Sequence, residues 1–285
     1  MAEKTAPPDQ PNGRATHRPG GRTRQWPTAL THIAPNVVEI RGYPVDELMG
    51  RLSFAEAIYL LLRGEVPTPS IGTLFGAVLV ASIDHGVTPP STLAARNVAT
   101  TGAPLKECVA AGILGFGVHH GGDVGSCMRF LDEGLALRGS GVTAQRAARD
   151  LATPYLERGA LPPGFGHRIH TRDPRAARLL QMAHEFDLGG EYCDFLRSVE
   201  RMLNDQASRA VQPLSVNLDG AIAAVCGDLG FAPEVAGGLF IIARVPGLLA
   251  HAFEEQSRHT PMRQIDPTDH VYDGPARRRL PDTRK

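Results

Sequence analysis

Gly164-Phe165-Gly166-His167-Arg168, followed by Asp173-Pro174-Arg175, is the stretch on which the reading of this chain turns. Glycines on either side of Phe165 mark a loop whose backbone is bare of side chains and open to a flat ligand. His167 lies in that loop, where a positioned imidazole can act on whatever binds. Asp173 has the character of a helix N-cap and Pro174 suits the first helical position, which predicts a helix through Phe186. The loop spanning residues 160–166 therefore divides two helical regions. A second Gly-rich point, residues 120–125, divides the chain again upstream.

Outward from this loop the pattern is helical almost throughout. Residues 44–63 place Val45, Leu48, Leu52, Ala55, Ile58, Leu61 and Leu62 close to a 3.6-residue period, and Gly64 ends the run. Residues 70–84 form a second apolar helix, stopped by Gly86. Residues 105–118 form a third, so rich in small apolar residues that it is expected to be buried on most sides. Further helices are expected over 122–137, 143–158, 191–204, 213–229 and 232–256. Alternating strand patterns are nearly absent, with 37–41 the best short candidate. The fold class this predicts is all-α.

Composition narrows the function. The 285 residues hold 30 Lys+Arg against 30 Asp+Glu, so no global field points to nucleic acid or a membrane surface. Basic residues gather at the ends, with Arg14, Arg18, Arg22 and Arg24 at one and Arg277, Arg278 and Arg279 at the other; they read as solvated tails. Residues 1–25 are rich in Pro, Gly and Arg, are expected to be disordered, and lack the apolar core of a secretory signal. The most apolar late stretch, 237–253, is interrupted by Arg244 and Pro246, which argues against a membrane span. Cys108, Cys127, Cys193 and Cys226 are scattered and suit reduced thiols in a cytoplasmic core rather than a zinc site.

Two ionisable residues stand out. Asp219 lies in an otherwise apolar helical stretch, where an unpaired carboxylate is costly and its pKa is pushed up. Arg244 interrupts an apolar run in the same way and needs a partner. The remaining clues are short segments in order: Ile83-Asp84-His85-Gly86 with Ser91-Thr92-Leu93-Ala94-Ala95-Arg96, then His120-Gly121-Gly122, then the 164–168 loop, then Asn217-Leu218-Asp219-Gly220. With the run from Arg41-Gly42-Tyr43 to Pro67, they resemble the citrate synthase family from about Trp26 to about Pro275.

The resemblance implies a two-domain helical fold with the active site in the cleft. A large domain takes residues 26–122 and 226–275, a small domain 123–225, and basic residues 276–285 trail from the end. It implies that Asp219 is the base, His120 the donor to a thioester oxygen and His167 the group acting on a ketone or hydroxyl. His85, Arg175, Arg244 and Arg263 would hold substrate carboxylates, with Arg263 reaching into a partner subunit's site. Coenzyme A would lie along Phe165 and Gly166, its phosphates near Arg168 and Arg172. No metal is required, and a homodimer or higher even oligomer is expected. The Asn-x-Asp-Gly form, followed by Ala221-Ile222, resembles the citryl-CoA lyase module of ATP-citrate lyase, and the chain is shorter than a synthase. Cleavage of citryl-CoA to acetyl-CoA and oxaloacetate is the expected activity; citrate or 2-methylcitrate synthesis is the alternative. A metal hydrolase using His85, His119, His120, His167 and His170, and a non-catalytic lyase subunit, are the readings from other classes.

Overall fold

The computed structural model describes residues 27–117, 120–121, 123–166, 171–206, 214–264, 266–269 and 271–279. The tail expected to be disordered, and His119, His167, Arg168 and His170, lie outside the described residues. The chain separates into two compact units, Met1–Met49 and Gly50–Lys285.

In the first unit, β1 (Thr31–Ala34), β2 (Val37–Ile40) and β3 (Tyr43–Pro44) form an antiparallel sheet in sequence order. Thr31 pairs with Ile40 and Ala34 with Val37. The tight β1–β2 turn is made at Asn36, whose φ of 61° is a conformation asparagine tolerates better than most residues. A single turn, α1 (Val45–Leu48), follows.

The second unit is helical: α2 (Phe54–Arg63), α3 (Pro69–Ala81), α4 (Pro90–Ala99), α5 (Leu105–Leu114), α6 (Asp123–Gly139), α7 (Ala144–Glu157), α8 (Pro174–Glu185), α9 (Glu191–Gln206), α10 (Leu218–Asp228) and α11 (Pro233–Arg258). The all-α expectation holds. The single helix expected over 44–63 is instead two pieces. A new helix starts at Ser53, whose hydroxyl accepts from the Glu56 amide while the Glu56 carboxylate accepts from the Ser53 amide. This reciprocal cap makes Ser53 a starting point rather than the middle of a longer helix.

α10 is the central helix. Leu218, Ile222, Val225 and the small residues between them are buried, and the helix packs against α6, α8, α9 and α11. Small residues all round explain why it lacks one apolar stripe: every side meets protein. Leu74, Phe75, Leu131, Phe195, Leu196 and Leu239 fill the same core. Each such side chain contributes roughly 2 kcal/mol by leaving water. α11 is long and apolar enough to cross a membrane by length and composition alone. Here it is a packed helix, in contact with α3, α4, α5, α6 and α10. All four cysteines are buried and unpaired with one another.

Candidate functional site

The start of α10 is stitched to the glycine loop. Asn217 caps the helix by accepting from the Gly220 amide at 3.0 Å, and its side-chain amide donates to the Gly166 carbonyl at 3.0 Å. Its backbone N–H donates to the Gly164 carbonyl, and the Gly166 N–H donates to the Ser215 carbonyl, both at 3.0 Å. Phe165 and Val216 face each other in this short antiparallel pairing. A Cβ on Gly220 would lie 2.4 Å from the Gly164 carbonyl oxygen, so only glycine fits beneath the loop. The Asn-x-Asp-Gly sequence is thus a cap, an acid and a close approach within one turn.

One expectation needs correction here. Gly164 and Phe165 are buried, Phe165 in the main core, and Gly166 is only partly exposed. The polar backbone groups of Gly164 and Gly166 named above are already engaged inside the protein. The glycines serve internal packing as well as whatever approaches from outside.

Asp219 occupies the second position of α10, partly buried. Burial lifts its pKa to about 6; the charges of Asp123 and Asp173 push the same way, while Arg175 and Arg244 oppose them. Arg175 sits in the first turn of α8. Asp173 caps that helix as the sequence predicts, accepting from the Arg175 amide at 2.9 Å. It also grips the guanidinium at 3.0 and 2.8 Å, so Arg175 is aimed by its own cap.

Arg244 is almost fully buried, at 1% exposure. Its Nε donates to the Ser82 carbonyl at 2.9 Å, and the guanidinium lies 5.0 Å from the Phe240 ring centre. Its Nη1 is buried with no hydrogen-bond partner among the described residues. Burial lowers its pKa, though an arginine remains charged at any ordinary pH.

His120 does not close a helix as expected. α5 ends at Leu114, and His120 pairs through its backbone with Gly117 in a tight turn. Its ring stacks on Phe116, centres 4.9 Å apart, and Nε2 shares a 2.7 Å hydrogen bond with Ser91 Oγ on α4. Burial, then the charges of Arg244 and His85, hold its pKa below the usual value, so it is neutral near pH 7. Ser91 is a contact that local sequence reading does not assign; a serine after Pro89-Pro90 has the look of a simple helix start.

Arg244 thus links two sets of charges: Asp219 and Arg175 on one side, and His120, which also feels His85, on the other. Arg172 is exposed beside Asp173. Arg263 is elsewhere. It pairs bidentately with Glu255 at 2.8 and 2.7 Å, eleven residues along α11 from Arg244, or about 16 Å at 1.5 Å per residue. Among the described residues no three His, Cys, Asp or Glu side chains converge as metal ligands.

Residues 67–265 match the family model described as citrate synthase, C-terminal domain. The chain belongs to the citrate synthase family. Within that family, it is similar to the solved structure of citryl-CoA lyase from Hydrogenobacter thermophilus: 41% identity, TM-score 0.81, covering 90% of this chain and 98% of that one. It is 29% identical to a citrate synthase of Deinococcus radiodurans over 71% of this chain and 52% of that protein. It is 26% identical to the ATP-citrate synthase beta chain protein 1 of Oryza sativa subsp. japonica over 93% of this chain and 45% of that protein. The chain spans about half the length of these curated relatives.

Proposed function

We propose that the protein is a citryl-CoA lyase, cleaving citryl-CoA to acetyl-CoA and oxaloacetate by acid/base chemistry, with coenzyme A as the thioester carrier. The observation that carries this reading is Asp219: a partly buried carboxylic acid in the first turn of α10, lifted to about 6 by burial and within electrostatic reach of Arg175 and Arg244. The preference for cleavage rests on the Asn-x-Asp-Gly form and on the likeness to a citryl-CoA lyase along 98% of that chain.

In this mechanism Arg175, Arg244 and His85 hold the carboxylates of the citryl group. The unpartnered Nη1 of Arg244 gives it a vacant donor for that purpose. His167 takes the proton of the tertiary hydroxyl. The carbon–carbon bond breaks, a ketone forms, and the electron pair moves toward the thioester as an enolate. His120, neutral and with Nε2 engaged by Ser91, donates through Nδ1 to the enolate oxygen. Protonated Asp219 then delivers a proton to the terminal carbon, giving the acetyl group. A raised pKa keeps a usable fraction of Asp219 protonated in mildly acid to neutral solution.

The same residues run in reverse as a citrate synthase, and the match to the Deinococcus radiodurans enzyme favours that as the second reading. We further assign a small domain over 123–225 that closes on a large one, and coenzyme A phosphates to Arg168 and Arg172. A homodimer is part of the proposal. Val80 and Leu114, 67% and 84% exposed on α3 and α5, are apolar surface that a second copy would cover. Arg263, anchored by Glu255 with 45% of its side chain exposed, would face the partner's site.

The test is to assay purified protein with citryl-CoA and, separately, with acetyl-CoA plus oxaloacetate. Release of oxaloacetate from citryl-CoA is expected. Condensation alone would favour the synthase, and no turnover in either direction would overturn both readings.

A further inference from the structure

Arg244 and His251 lie seven residues apart on α11, two turns along the same face. Both reach the same short segment between α3 and α4. Arg244 Nε donates to the Ser82 carbonyl, and His251 Nε2 lies 3.0 Å from Asp84 Oδ1. Between the two is Gly247. A Cβ there would lie 2.4 Å from the Ile83 carbonyl oxygen and 3.0 Å from Asp84 Oδ1, so the segment rests directly on the helix backbone. Asp84 also folds back to accept from the Gly86 amide at 3.1 Å. The docked residues flank His85, which is itself exposed.

We infer that the Asp84–His251 pair is a positioning device: it clamps residues 82–86 to α11 and so fixes both the substrate-facing His85 and the guanidinium of Arg244. His251 is suited to that task. It is largely buried, its Nδ1 has no hydrogen-bond partner among the described residues, and Glu254 lies 3.9 Å away. Its directed hydrogen bond therefore goes to Asp84. Burial works to raise the Asp84 pKa, but the Gly86 and His85 amides and the His251 ring outweigh it and keep the group ionised. The Asp84 charge in turn supports the charged form of Arg244. Without the clamp, the Ser82 carbonyl and His85 lose their fixed distance from Arg244, and the loss falls on the dicarboxylate end of the ligand. Coenzyme A, assigned above to Arg168 and Arg172, is expected to be unaffected.

This inference rests on the lyase reading, and the experiment separates the two. Wild type, His251→Ala and His251→Gln are titrated calorimetrically with oxaloacetate and with coenzyme A, alongside citryl-CoA kinetics and thermal midpoints. The glutamine amide N–H stands near the position of the imidazole Nε2. His251→Ala is expected to weaken oxaloacetate binding about tenfold, the scale of one hydrogen bond to a charged group. It raises KM for citryl-CoA far more than it lowers kcat, and coenzyme A affinity stays unchanged. His251→Gln restores most of the oxaloacetate affinity. If His251→Ala does not fold, Asp84→Asn carries the same test with the same selective loss expected. Unchanged oxaloacetate affinity, or a parallel loss for both ligands that glutamine does not repair, overturns the positioning role while active wild type keeps the lyase reading. Wild type that neither binds oxaloacetate nor cleaves citryl-CoA overturns the lyase reading, and this inference with it.

Discussion

Arg244 and Glu255 are both buried charges on α11, each 1% exposed, and the fold treats them in opposite ways. Glu255 is fully answered. Arg263 donates to both of its oxygens, and Arg96 of α4 donates to Oε2 at 2.7 Å. Burial would raise its pKa, yet the two arginines hold it below the usual carboxylate range. Arg244 is answered only in part, by one carbonyl, one aromatic face and the charges of Asp84 and Asp219, with a buried nitrogen that has no hydrogen bond among the described residues. Asp219 also contrasts with Glu255: burial raises its pKa to about 6, and Arg175 and Arg244 only partly offset that rise. A satisfied buried charge ties elements together; an unsatisfied one is tolerated where a ligand completes it.

Replacing each charge should break this contrast or sharpen it. Glu255→Gln leaves Arg96 and Arg263 without their anion and should cost about 3–5 kcal/mol in denaturant unfolding. A variant as stable as wild type would remove the contrast. The wild-type contribution is present above the ordinary Glu range and is lost as pH falls through the lowered native value.

Asp219 has the opposite sign. Its native pKa of about 6 lies above the unfolded value, so its contribution is full below about pH 4 and is lost as pH rises through 6. Asp219→Asn removes that loss. The stability difference, mutant minus wild type, should grow across this window by up to about 3 kcal/mol. A difference flat with pH would mean that Asp219 is an ordinary carboxylate. The smallest effect is expected for Arg244→Met, which should stay within about 1 kcal/mol of wild type or exceed it. Its thermal midpoint should no longer rise with oxaloacetate, as that of wild type should. A loss on the Glu255 scale would make Arg244 a structural charge.

Most of the helices are written locally. Apolar spacing marks α2, α6 and α9, and Asp173-Pro174 marks the start of α8. α4 escapes because Pro89-Pro90 and a run of Ser, Thr and Ala carry little periodic signal; its helix is held by packing on α5 and α11. The pattern of α5 runs on to residue 118 in sequence, past the helix end at Leu114, because Gly115 and Gly117 follow without any proline to stop it. Arg244 and Asp219 are legible because a charge in an apolar run is physically conspicuous. Ser91 beside His120 is not, since the contact joins residues 29 apart in sequence. The Gly220 requirement is hidden for the same reason: it depends on the Gly164 backbone lying across the helix start.

The central claim is that Asp219 carries the proton in the proposed cleavage. Its most direct test is citryl-CoA cleavage by Asp219→Asn beside wild type, with circular dichroism and thermal unfolding on both. Asparagine keeps the shape and cannot carry the proton. Turnover should fall about 100-fold or more, the scale of a lost general acid or base, while the fold remains. A well-folded Asp219→Asn that cleaves citryl-CoA at near the wild-type rate would contradict the account.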